Sequence, residues 1–286
     1  MLSLFAVPKA FVGHTAVIQD NALESWTRLA DGCDIVLFGD DPGIAEAAAR
    51  HRVAHQATIR RNAFGTPMLP DVLLQMQRKA RFPYVGLINA DIILLDDFLP
   101  AIRNLIAVER EFLLVSSRFD CDITEPLHFE TGWDQALRTR ARRENRMYPA
   151  GGSDVFIFAR GLFDQVPDLV IGRGYWDNWL IGAARRKRVA VVDATPCLTA
   201  VHQQHSYDHV TGVAAERDDV PVYRSEEGRR NLTLAGSHSQ LYTVFDATHV
   251  LTPEGRLRST LSPSLAYRRL KASVRRTVRG FMIRDA

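Results

Sequence analysis

The feature that most constrains this chain is the run Tyr84-Val85-Gly86-Leu87-Ile88-Asn89-Ala90-Asp91-Ile92-Ile93-Leu94-Leu95-Asp96-Asp97. Such an apolar stretch reads as a strand covered on both faces, which requires a sheet with helices on either side. Asn89 and Asp91 interrupt it where a core strand has no use for polar groups. Burying an unpartnered carboxylate costs several kcal/mol, so a metal ion or a bound ligand is the natural compensation. Residues at i and i+2 near a strand end point to the same side and can share one cation.

The surrounding pattern supports the same class. Strand-like runs at residues 2–7, 34–39 and 53–59 alternate with helical patterns at 17–29, 44–51 and 67–81. That alternation implies βαβ units and a largely parallel sheet, which binds ligands at the carboxyl ends of its strands. Lys9, Asp40 and Asp91 end the first, second and fourth runs and are therefore expected at one rim. The second half is less regular, with strands at 112–117, 154–159 and 189–194 and helices at 133–143 and 176–186. Residues 207–227 read as a long loop or lid. The expected fold is α/β, a mostly parallel central sheet flanked by helices, with a helical extension at the C-terminus.

A chain of 286 residues has room for one large α/β domain. Its net charge of +3 is too small to argue for nucleic acid. Cys33, Cys121 and Cys197 are odd in number and widely spaced, which fits neither a disulfide framework nor a zinc site and points to a reducing cytoplasm. The apolar stretch at residues 2–7 is too short for a signal peptide, and no run reaches the roughly 18–20 apolar residues of a spanning helix. The last thirty residues differ. Tyr267, Leu270, Val274, Val278 and Phe281 form a helical stripe, with Arg268, Arg269, Lys271, Arg275, Arg276 and Arg279 around the rest of the circumference. Such a helix either lies on an anionic membrane surface or docks on its own domain with a solvated basic face. The chain divides on this reading into a domain at residues 1–250 and a basic amphipathic tail at 251–286.

Polar residues that neither strands nor helices require collect in a few segments. Pro8-Lys9 leaves the first strand and brings a cation to the rim, although Lys9 also reads as an ordinary surface lysine. Phe38-Gly39-Asp40 ends the second strand, where Asp40 either forms a turn or meets a ligand. Thr66 reads as a helix N-cap with Pro67 at the first helical position, which leaves Asn62 and Gly65 for ligand contact. Lys79, late on the same helix, is either solvated or in reach of a phosphate. Gly151-Gly152-Ser153-Asp154 is a glycine turn entering a strand; it lets backbone approach a ligand closely and sets Asp154 to hold a hydroxyl. In Trp176-Asp177-Asn178-Trp179, aromatic faces suit sugar rings and the carboxylate suits a hydroxyl proton. Packing at i, i+3 accounts for the two tryptophans but not for Asp177-Asn178. His202, His205 and His209 invite a zinc reading, which their spacing supports weakly.

Taken together, Val7-Pro8-Lys9, Gly13-His14, Leu37-Phe38-Gly39-Asp40, Asn89-Ala90-Asp91-Ile92-Ile93, Gly152-Ser153-Asp154 and Trp176-Asp177-Asn178-Trp179 resemble bacterial glycosyltransferases of the family-2 type, over about residues 1–250. Asn89-Ala90-Asp91 is similar to the Asp-x-Asp element of that group, with Asn at the first position. The resemblance implies a GT-A (Rossmann-like) fold, a UDP- or GDP-sugar donor, Mn²⁺ or Mg²⁺, and a hydroxyl acceptor on a glycan or lipid carrier, in surface polysaccharide or glycoconjugate synthesis. It assigns the donor to Pro8, Lys9, Phe38, Gly39, Asp40, Asn62, Thr66, Asn89, Ala90, Asp91, Ser153 and Trp176. It assigns the cation to Asn89, Asp91 and His202, with His205 as second choice, and an amide oxygen at Asn89 keeps a ligand while removing one charge. Asp177 is expected as the general base and Asp154 as the group orienting donor or acceptor. Work in the cytoplasm, at the inner face of the membrane, follows from the same resemblance. Two rival classes remain. A sugar-phosphate nucleotidyltransferase usually opens with a Gly-x-Gly-x-x-x-Arg loop, where this chain has Pro8-Lys9-Ala10-Phe11. A non-catalytic nucleotide-sugar or carbohydrate-binding protein is the other, for which Asn89 leaves room.

Overall fold

Apolar strands that are buried on both faces build the body of the molecule. A computed structural model describes residues 1–29, 32–147, 153–205, 223, 225–236 and 241–260. β1 (Leu2–Ala6) is buried along its whole length, and β4 (Tyr84–Ile88) in all but its first residue. They are joined by β2 (Cys33–Phe38), β3 (Ala54–Gln56), β6 (Phe112–Val115), β8 (Val155–Ala159) and β9 (Ala190–Asp193), and by the hairpin β11 (His249–Leu251) and β12 (Leu257–Ser259). The nine strands lie in the order β12-β11-β9-β6-β8-β4-β1-β2-β3. Pairing is parallel except that β8 runs against both β4 and β6, and β12 against β11. At the centre, a Cβ on Gly86 would come within 2.6 Å of Ile157 Cδ1 and 2.7 Å of Leu4 Cδ2, so close strand packing there calls for glycine.

Helices cover both faces. α1 (Gly13–Thr27), α2 (Ile44–His51) and α4 (Phe98–Val108) pack Trp26, Ile44 and Phe98 into one core. α3 (Leu69–Lys79), α6 (Trp176–Arg186) and α7 (Glu226–Ala235) supply Leu69, Met76, Trp179 and Ala235 to the other. A second, three-stranded sheet has the order β5 (Ile92–Leu94), β10 (Ala200–Gln203), β7 (Arg118–Cys121). Behind it α5 (Trp133–Glu144) closes a third small core of Ile93, Phe119, Leu137, Ala141 and Val201.

The expected α/β class and the mostly parallel, helix-flanked sheet are present, and helices 44–51 and 176–186 fall where the pattern puts them. Several boundaries differ for physical reasons. α1 begins at Gly13 rather than at residue 17, because Gly13 and His14 are exposed and carry no apolar signal. The run at residues 84–97 is two strands in two sheets, broken where Asn89 and Asp91 stand. Thr66 does not cap α3: Met68 holds the N-cap position and Pro70 lies in the first turn. His202 lies within β10, and β11 and β12 follow it. Those two strands carry the main sheet past residue 250, so residues 251–260 belong with the sheet and not with a tail. Residues 226–227 open α7, capped by Ser225 Oγ accepting from Gly228 N at 3.0 Å, and are not loop. Most of the expected lid and the whole helical stripe at 261–286 lie outside the described residues.

Candidate active site

β1 and β4 are parallel neighbours and end at the same edge of the sheet. Because β8 runs against β4 with Val155 opposite Ile88, the entry to β8 lies at that edge too. The backbone N–H of Asn89 accordingly donates to the Asp154 carbonyl at 3.1 Å. A cavity of about 510 Å³ opens there, lined by Pro8, Lys9, Thr66, Asn89, Ala90, Asp91, Arg118, Ser153, Asp154, Arg173, Trp176, Asp177, His202 and His205 among others.

Asp91, His202 and His205 converge on its floor. Each offers one ligand atom, and those atoms lie within 4.8 Å of one another. His205 Nε2 is 3.0 Å and His202 Nε2 3.7 Å from Asp91 Oδ2. The other carboxylate oxygen, Asp91 Oδ1, is buried and meets no hydrogen-bond donor among the described residues. A buried oxygen without a partner is costly, and a cation would satisfy it. Burial alone would raise the Asp91 carboxyl; the charges of His202, His205 and Lys9 outweigh it and hold the group well below the usual carboxylate range. One carboxylate with two imidazoles is a donor set that fits a divalent transition ion such as Mn²⁺ better than Mg²⁺, which prefers oxygen and water.

Asn89 lines the same cavity. Its side-chain amide donates to Asp154 Oδ1. Asp154 Oδ2 takes Arg118 at 2.9 Å, so both oxygens of this buried acid are held by protein. Arg118 also reaches Asp120 Oδ1 at 3.1 Å, and Asp120 stands 3.0 Å from His202 Nδ1. Asp177, in the first turn of α6, differs from Asp154. It lines the cavity half-buried, and desolvation, aided by the charge of Asp154, pushes its carboxyl up to about 6 against the opposing N–H of Asn178. A carboxyl poised near neutrality matches what a proton acceptor needs. Lys9 sits at the same rim, where burial lowers its ammonium and Asp91 partly restores it.

Four of the expected donor-site residues lie outside the cavity lining. Phe38 is fully buried and stacks on Phe5 at 5.3 Å. The Gly39 carbonyl is engaged by His55 at 2.8 Å. Asp40 is an exposed partner of Arg61 at 3.0 Å, and its neighbour Asp41 reaches the cavity instead. Asn62 pins its own turn by accepting from Phe64 N and Thr66 N, and its amide donates to Glu227 at 2.6 Å. Thr66, Ser153 and Trp176 line the cavity but also carry structure: Thr66 Oγ1 accepts from Arg173, Ser153 Oγ bridges Ser116 N and Val155 O, and Trp176 packs on Phe156. Lys79 is exposed and outside the lining.

Reading the residues alone overlooks β7, hence Arg118 and Asp120. The signal was present: Arg118-Phe119-Asp120-Cys121 alternates charged and apolar residues as a half-buried strand does, and its burial alternates likewise. Arg173, which holds Glu227 of α7 at 2.8 Å, and Gln203, which donates to the Ile18 and Asp91 carbonyls at 2.7 and 3.1 Å, leave no comparable pattern.

No protein-family model matches the sequence. No curated protein matches it either. Solved structures do match. The Mycobacterium tuberculosis glucosyl-3-phosphoglycerate synthase in complex with Mn²⁺, uridine-diphosphate and phosphoglyceric acid is similar over 83% of this chain and 79% of that one, at 13% identity and a TM-score of 0.51. Another crystal structure of that synthase gives 83%, 81%, 15% and 0.50. Staphylococcus aureus TarS in complex with UDP-GlcNAc aligns over 82% of this chain and 70% of its own, at 12% identity and a TM-score of 0.48. At such identities the likeness speaks to architecture: the chain has the GT-A type of fold, a large mostly parallel sheet flanked by helices.

Proposed function

We propose that this protein is a metal-dependent glycosyltransferase that moves a sugar from a UDP- or GDP-sugar to a hydroxyl acceptor. The observation that carries the reading is the buried, unpartnered Asp91 Oδ1 beside His202 and His205 at the mouth of three strands in a GT-A fold. The glucosyl-3-phosphoglycerate synthase of the same fold is described with Mn²⁺ and uridine-diphosphate, which supports a nucleotide here.

Asp91, His202 and His205 would hold Mn²⁺ or, less well, Mg²⁺; when bound, the ion neutralises the diphosphate leaving group. Lys9 brings a second positive charge to the same phosphates. Asp177 accepts the proton of the incoming hydroxyl at a carboxylate oxygen, which is ionised in most molecules above about pH 6. Asp154, clamped by Arg118 and Asn89, serves to fix the strand end on which Asn89 stands.

The acceptor belongs on this reading to a bacterial surface polysaccharide or glycoconjugate, carried on a glycan or lipid. The protein would work in the cytoplasm, with the basic stripe at 261–286 bringing it to anionic lipid. No helix among the described residues is long and apolar enough to cross a membrane. Purified protein incubated with UDP- and GDP-sugars should release nucleoside diphosphate with Mn²⁺ and not with EDTA. Release of pyrophosphate from a sugar phosphate and a nucleoside triphosphate would identify a nucleotidyltransferase instead. Binding without turnover would identify a carbohydrate- or nucleotide-sugar-binding module.

A further inference from the structure

We propose that Asp120 is the positioning residue of the metal centre: its carboxylate takes the Nδ1–H of His202 and thereby presents Nε2 to the cation. The inference rests on the cation site proposed above. Strand pairing sets His202 of β10 opposite Asp120 of β7, so register alone brings the two side chains together. Asp120 Oδ1 is 3.0 Å from His202 Nδ1, while Nε2 on the other side of the ring is 3.7 Å from Asp91 Oδ2. Nδ1 is buried and makes no hydrogen bond among the described residues, and the Asp120 carboxylate is the acid within reach of it.

An imidazole gives one nitrogen to a cation while the other keeps its proton. A carboxylate at Nδ1 therefore selects the tautomer whose Nε2 lone pair is free, and orients the ring. Asp120 is itself held. Arg118 Nε donates to its Oδ1 at 3.1 Å, and Arg118 Nη1 donates to Asp154 Oδ2 at 2.9 Å. Asp154 in turn accepts from Asn89, two residues from Asp91. The chain of contacts Asp120, Arg118, Asp154, Asn89 thus ties β7 and β8 to the turn that carries Asp91. Asp120 is absent from the cavity lining and from the converging ligand cluster, so its action passes through His202.

Two measurements test this. In metal-free wild type, ¹⁵N–¹H correlation of the imidazoles should show His202 with its proton on Nδ1. Mn²⁺ titration followed by electron paramagnetic resonance should show a loss of about 10- to 100-fold in affinity for Asp120→Leu. Asp120→Asn, which keeps one acceptor oxygen, should recover most of it. A proton on Nε2 of His202 in the wild type overturns the proposal, and that reading holds even if the leucine variant does not fold. A folded Asp120→Leu protein that binds Mn²⁺ as tightly as the wild type overturns it as well, with the cation site left standing. Wild type that binds no Mn²⁺ overturns the cation site and the role of Asp120 together.

Discussion

All five residues of β1 are buried, and Ser3, their one polar side chain, is spent on the backbone N–H groups of Arg81 and Phe82. β7 and β10, in the smaller sheet, carry Arg118, Asp120, His202 and Gln203. The large sheet is held by apolar area, at roughly 25 cal/mol per Å² removed from water. The small sheet is held by fewer apolar residues and by polar groups that need partners, and two buried atoms in it or at its border, His202 Nδ1 and Asp91 Oδ1, have no hydrogen-bond partner among the described residues. Scaffold and chemistry are therefore separated in space, and substitutions in the two sheets should have opposite signatures.

The largest effect belongs to the small sheet's border. Asp91→Ala should abolish turnover and remove the metal dependence of nucleotide affinity, while thermal unfolding shows a folded protein. Normal turnover in this variant would erase the division. Asp177→Asn should lower kcat about 10²- to 10⁴-fold with nucleotide affinity nearly intact. The same variant sharpens the comparison through stability. A carboxyl raised from 3.8 in the unfolded chain to about 6 in the fold stabilises the fold below pH 4, and that contribution is lost as pH rises through about 6. Asp177→Asn should therefore be more stable than wild type at pH 8, by on the order of 2 kcal/mol, with the gain gone at pH 4. A variant equally active or less stable at pH 8 would contradict the role given to Asp177.

In the large sheet, Gly86→Ala should cost about 1–3 kcal/mol of stability, since its Cβ meets Ile157 and Leu4. Its kcat at a temperature where it is folded should stay near wild type. A variant with full stability and impaired kcat would show that the scaffold takes part in the chemistry. The smallest effect on turnover should come from removing residues 261–286. Donor hydrolysis should survive, and flotation with anionic liposomes at low salt should be lost, since each basic residue contributes roughly 1 kcal/mol near such a surface. Salt-insensitive flotation, or a truncated protein that unfolds readily, would instead mean that the stripe packs on the domain.

The same contrast explains what the sequence made legible. Long apolar runs announce β1, β2, β4 and β8 because both faces of each are covered, and alternation with helices announces the sheet. Asp91 stands out in the sequence for the reason it matters in the fold, an acid within an apolar run. Asp40 and Asn62 mislead because turns use the same residue types that ligands do. Arg118 and Asp120 escape notice because an alternation only four residues long does not stand out without its partners, which are more than thirty residues away in sequence for Asp154 and more than eighty for His202. The choice between His202 and His205 needs three dimensions, where both meet Asp91.

Calorimetric titration of the wild type with UDP and with GDP, in Mn²⁺ and again in EDTA, tests the central claim most directly. Binding of one of the two nucleotides that strengthens at least tenfold with Mn²⁺ is the expected result. Equal affinity in Mn²⁺ and EDTA would contradict a metal centre at Asp91, His202 and His205.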